Sequence, residues 1–184
     1  MATTTGTRTS EMGTVGSSAL WAMIGLNMAW VTGMIGGIAF DPGDDAQKLL
    51  YSLAAIGGCM GAAVLAARHA RAGRDLAAGG FILIVVISIA ETVAGFGGPG
   101  ADSVFTQLSI MFLPALWLVA FQDWSTPWAR GAAALSGLAF AVYGYTYTLG
   151  DSAPDSDSPI LIGAYLLFTV AIIGWTMTLR ADAE

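Results

Sequence analysis

Glu91 is the one carboxylate embedded in a long apolar stretch, the block running from Asp75 to Asp102. A charge placed in hydrocarbon costs several kcal/mol, so such a group must face a protein interior, pair with donors or carry a proton. A lone intramembrane carboxylate is suited to holding a proton or a cation. Ser88 and Gly95, three residues back and four on, share its helical face. At about 1.5 Å per residue, Glu91 lies ~7–8 Å below the outer end of its segment. Gln107 and the pair Tyr143 and Tyr147, one turn apart, fall at similar depth on other segments. Together they would line an outward-opening polar vestibule, with Asn27 as a contact near mid-depth. The plainer alternative makes Glu91 a hydrogen-bonded structural group, the tyrosines interface residues, and Asn27 a hydrogen bond between helices.

Other chemistries lack their residues. The only cysteine, Cys59, excludes an intramolecular disulfide and reads as a small buried side chain; the only histidine, His69, reads as a solvated turn residue beside Arg68. Neither supports a haem, a zinc centre or a metalloprotease site. The single lysine, Lys48, stands in a loop, where no retinal Schiff base would form, and no Walker glycine loop is present. No nucleophile is spaced with a base, so the chain is expected to be neither an enzyme nor a cofactor or metal protein. Seven basic residues against thirteen acidic ones, a net charge of −6, argue against nucleic acid as a partner.

These residues sit in a chain of 184 residues that is 55% hydrophobic and only 11% charged. A soluble domain carries roughly 25% charge. The charges leave gaps between Glu11 and Asp41, Lys48 and Arg68, Asp102 and Asp123, Arg130 and Asp151, and Asp157 and Arg180. A helix crossing ~30 Å of hydrocarbon needs about 20 apolar residues, so each gap fits one crossing. The expected architecture is therefore all-α, with six transmembrane helices near 18–40, 49–67, 76–96, 104–121, 130–149 and 159–179. Strands are excluded because the runs lack alternation and exceed barrel-strand length. A soluble bundle would need polar outer faces, and six such segments leave nothing to supply them.

Residues 1–17, rich in Thr, Ser and Gly, form an expected mobile tail; 18–180 is one transmembrane domain, and 181–184 a short C-terminal tail. The tail and first span are expected to persist rather than be cleaved as a signal peptide. Turn sequences at Asp41–Asp45, Gly97–Gly100 and Gly150–Ser158 fall on one side. Arg8, Arg68, Arg71, Arg74, Arg130 and Arg180 fall on the other, which predicts cytoplasmic termini in a cell (inner or plasma) membrane. The outer loops hold most of the aspartates and so carry a negative field. Trp21, Trp124, Trp128 and Trp175 are expected as anchors at the cytoplasmic interface.

Small residues at four-residue spacing mark close-packed faces: Gly25, Ala29, Gly33 and Gly37 in the first span, Ala54, Gly58, Ala62 and Ala66 in the second, and Ala133, Gly137 and Ala141 in the fifth. Pro114 should kink the fourth span. An Arg followed by small residues opens both the third and the fifth span, a faint repeat. In size and topology the chain resembles small urea/amide channels and acetate-type permeases, although the Asn-Pro-Ala-Pro-Leu-Gly-Leu signature of the latter is absent.

Two functions remain open. One is a channel or carrier for protons, cations or a small neutral solute, using Glu91, Gln107, Tyr143, Tyr147 and Asn27. The other is an accessory subunit that packs on partner helices or binds lipid or pigment. The lipid bilayer is the expected partner in both, with a second copy of the chain or other membrane subunits beside it.

Overall fold

A computed structural model describes residues 12–39, 44–95, 101–150 and 158–181, with side chains described at 17–39, 44–93, 104–150 and 158–181. Most of each expected outer turn, at 40–43, 96–100 and 151–157, lies outside the described residues, as do 1–11 and 182–184.

The described chain is all-helical. Its six helices are α1 (Met12–Ala39), α2 (Asp45–Arg71), α3 (Asp75–Gly95), α4 (Ala101–Ala120), α5 (Pro127–Leu149) and α6 (Pro159–Ala181). α1 thus starts inside the stretch expected to be a mobile tail. Four stretches are long and apolar enough to cross a membrane: Ser17–Ala39, Asp45–Arg71, Asp75–Val93 and Pro159–Ala181. α4 offers a shorter apolar stretch, Val104–Ala120. α5 is long enough at 23 residues, but Gly, Ala, Ser, Tyr and Thr dilute its hydropathy.

Two arginine-side turns show why helices end where they do. Gly73 adopts φ 68°, the left-handed conformation that L side chains avoid. There Arg74 N–H donates to His69 O and Gly73 N–H to Ala70 O, the paired bonds that close a helix C-terminus. α5 begins with Pro127 at its first position, after Thr126 in an extended conformation.

Each helix packs on its neighbours in the chain, and α1 also packs on α6, which closes a ring. Among the described residues, helices that are not neighbours in the ring make no close backbone contact. Aromatic side chains meet instead: Phe81 of α3 and Trp175 of α6 at 5.2 Å, and Phe112 of α4 and Phe168 of α6 at 5.8 Å between ring centroids. Phe112 stacks on Phe140 of α5 at 4.4 Å, extending the aromatic fill along the axis.

The ring is tightest where side chains are smallest. A Cβ added to Gly25 would lie 2.5 Å from Gly61 N and 2.7 Å from Gly57 O, so α1 and α2 touch through backbone. Gly33 faces Ala54, Gly37 faces the Tyr51 hydroxyl, and Gly58 faces Ala29 and Ser88. Gly137 of α5 abuts Phe112 O and Leu113 of α4. Ala62 is buried beside these contacts. The glycine rows of α1 and α2 therefore meet within one chain.

Unlike a soluble protein, the bundle carries large apolar side chains on its outside as well as in its core. Ile38, Val93, Phe121 and Leu149 are all more than 60% exposed, whereas Thr106, Ser109 and Ser136 are buried. Most hydroxyls return to their own helix: Thr32 to Met28 O, Thr92 to Ser88 O, Ser109 to Phe105 O and Thr178 to Gly174 O. Ser136 Oγ instead crosses to Ala164 O of α6 at 2.9 Å. Interhelical bonds of this kind contribute about 0.6 kcal/mol on average and ~1.7 at most. Ser136→Ala should therefore cost no more than about 2 kcal/mol in a thermal melt in detergent, with the ring intact.

Candidate functional site

Glu91 is positioned by α3, four residues before the described helix ends at Gly95. Its Oε1 is buried and has no hydrogen-bond partner among the described residues. The carboxyl interacts electrostatically with Cys59 of α2 and with Tyr165 of α6. Tyr165, although 40% exposed, in turn interacts electrostatically with Tyr51 of α2, itself 46% exposed, and with Tyr143 of α5. Tyr143 is buried and its ring lies 4.8 Å from that of Tyr147, with Phe105 of α4 at 6.2 Å on its flank. A carboxyl and several phenols from four helices are thus gathered toward the end of the ring opposite the arginines.

The residues expected to line a vestibule are placed as follows. Tyr165 interacts electrostatically with both Glu91 and Tyr143, and Tyr147 meets Tyr143 by ring contact alone. Gln107 is exposed on α4, so its amide is turned away from the ring interior. Asn27 is committed to its own helix: Nδ2 donates to Met23 O at 2.7 Å and Oδ1 accepts from Trp30 Nε1 at 3.0 Å. With both ends of the amide occupied locally, no described bond carries it across to a neighbouring helix.

The opposite end departs further from the expectation. His69 is not a solvated turn residue; it is 1% exposed in the last turns of α2. Its ring is stacked on Phe81 at 5.6 Å and meets Trp124 edge-on at 4.5 Å. Of the four expected interface anchors, only Trp21 and Trp128 are exposed. Trp124 and Trp175 point inward and lie 6.0 Å apart. Trp124 lies in the 121–126 segment between α4 and α5, whereas Trp175 is carried inward by α6 itself. The indole nitrogens of Trp124 and Trp175 are buried without a partner among the described residues, as are Gln122 Oε1 and Thr176 Oγ1.

Sequence spacing missed Tyr165 and His69. Tyr165 follows the last acidic turn by several residues and reads as an interface tyrosine. His69 neighbours arginines, which disguises its burial. Among the described residues no cluster of three or more His, Cys, Asp or Glu is arranged to hold a metal ion.

Compared with protein-family models, with curated proteins and with solved structures, the chain matches none.

Proposed function

We propose that this is an integral protein of the cell (inner or plasma) membrane that crosses the bilayer six times with both termini in the cytoplasm. Four helices have the length and apolarity for this on their own. The shorter α4 and the diluted α5 are joined to them in one ring, and their outward side chains, Met111, Trp117, Leu135, Leu138 and Val142, are apolar and exposed. Such faces suit lipid and are costly in water. Arg68, Arg71, Arg74, Arg130 and Arg180 gather at one end of the ring, and the positive-inside rule places that end in the cytoplasm.

The function we propose is a channel or carrier for protons, cations or a small neutral solute, not an enzyme. The observation that carries it is the buried, unpartnered Oε1 of Glu91 inside a six-helix ring. A buried carboxylate oxygen without a partner costs stability, and a group that interacts with a translocated species accounts for its presence. Tyr143 and Tyr147 would lie on the outer side of that species, while the rings of Phe81, Trp175 and Phe168 close the axis in the conformation described. The test is ion and solute flux in proteoliposomes, comparing the parent with Glu91→Gln.

A second reading, an accessory subunit of a membrane complex, is favoured by the same closed axis. It predicts stoichiometric partner proteins after extraction in mild detergent and no flux from the purified parent.

A further inference from the structure

Two grooves open on the outside of the ring at its arginine end. The larger, about 480 Å³, lies between α1 and α2 and is lined by Ser17, Ser18, Trp21, Ala63, Val64, Ala67 and Arg71. The smaller, about 390 Å³, lies between α4 and α5 and includes Phe121 and Arg130. Each pairs an apolar floor with one exposed aromatic ring and one arginine. They differ in what the arginine does. Arg130 donates Nε to Ala120 O at 2.7 Å and is ion-paired through its Nη1 with Asp123, so its charge is already met. Arg71 donates Nε to Ala67 O at 3.1 Å, and among the described residues no carboxylate bonds to its guanidinium.

We infer that the α1–α2 groove binds an acidic phospholipid, with the phosphodiester at Arg71 and an acyl chain along Ala67, Val64 and Ala63. A guanidinium presents several fixed donors to phosphate oxygens. The floor decides for a lipid over a soluble anion. Ala63 lies eight residues from Arg71, about 12 Å along the helix, so the groove continues from the cation into the apolar belt. Trp21, 54% exposed at its edge, sits at the level that indoles favour between headgroup and acyl chain. The α4–α5 groove has the same floor but a neutralised arginine, and is not assigned a charged ligand.

The inference rests on the membrane reading, and the two fail separately. A chain released from membranes by alkaline carbonate sinks the membrane reading; a retained chain without lipid preference sinks only this site. The experiment is native mass spectrometry of the full chain from micelles with added short-chain phosphatidylglycerol, phosphatidylcholine or glycerol 3-phosphate. The parent should retain phosphatidylglycerol about fivefold better than phosphatidylcholine, the preference one interfacial arginine supplies. Arg71→Gln should erase that ratio, and Arg74→Gln, on the turn outside the groove, should leave it. Ala67→Leu, an exposed position that tolerates bulk, should reduce retention of both lipids by filling the floor, which keeps the test available should Arg71→Gln misfold. Equal retention of the two lipids by the parent, an unchanged ratio in Arg71→Gln, undiminished adducts in Ala67→Leu, or glycerol 3-phosphate binding as tightly as the lipid would each overturn the proposal.

Discussion

Gly25→Ala should destabilise the protein by roughly 2 kcal/mol or more, a large effect for a single methyl group. Alanine is the better helix former by about 1 kcal/mol, so propensity alone predicts the opposite sign. Geometry decides. The added Cβ would lie 2.5 Å from the backbone nitrogen of Gly61 and 2.7 Å from Gly57 O, and neither atom can rotate away as a side-chain tip would. Only separation of α1 from α2 relieves the overlap, and that forfeits the dispersion contacts along the whole crossing, which are the main attraction between helices in lipid. Gly57→Ala should behave alike, because its Cβ would meet Gly25 O at 2.7 Å and Ala29 N at 2.8 Å. The double variant should lose less than the sum, since either methyl already opens the same contact. Gly79→Ala supplies the contrast: nothing lies within 4 Å of its added Cβ, so it should be neutral or gain up to about 1 kcal/mol. Melting midpoints in one detergent check all four. A Gly25→Ala protein as stable as the parent would contradict the backbone contact.

The largest functional effect is expected at Glu91. Glu91→Gln should reduce flux in proteoliposomes to the leak of protein-free vesicles, while the melting midpoint stays within about 1 kcal/mol of the parent. Glutamine keeps the shape of the side chain and removes only the titrating oxygen. Oε1 has no described hydrogen bond to lose, so a purely structural Glu91 gives no reason for transport to fail. Glu91→Asp retains the carboxyl one methylene shorter and should keep measurable flux. Tyr143→Phe, which removes a hydroxyl that interacts with Tyr165 and leaves the carboxyl in place, should have the smaller effect. If the parent carries nothing, or Glu91→Gln carries as much as the parent, the transport reading falls and the accessory-subunit reading replaces it.

The spacing of charge alone made the helices legible, because a residue that cannot enter hydrocarbon marks where a crossing stops. Small-residue rows were legible for a similar reason: Gly25 and Gly58 at four-residue spacing leave a flat face that only another helix can cover. Which face of each helix looks inward was not legible. In a soluble helix polarity separates the two faces, but here both are apolar and the sequence carries almost no amphipathic signal. Hence Gln107 was expected inside and is exposed, while His69, Trp124 and Trp175 were expected near water and are buried. Tyr165 joins the Glu91 group only because α6 closes the ring, and a long-range closure of that kind leaves no trace in local spacing. Asn27 turned to its own helix because Met23 O and Trp30 Nε1 lie one turn away on either side.

The account depends on six helices traversing a bilayer with the arginine end inside the cell. Single cysteines introduced at Asp44, Ala72, Asp123 and Gly150, each in a Cys59→Ala background, report this directly through an impermeant maleimide on intact cells. Asp44→Cys and Gly150→Cys should label from outside, and Ala72→Cys and Asp123→Cys only after permeabilisation. Labelling of Asp123 and Gly150 from the same side would remove α5 as a crossing, and the reverse of the whole pattern would invert the protein in its membrane.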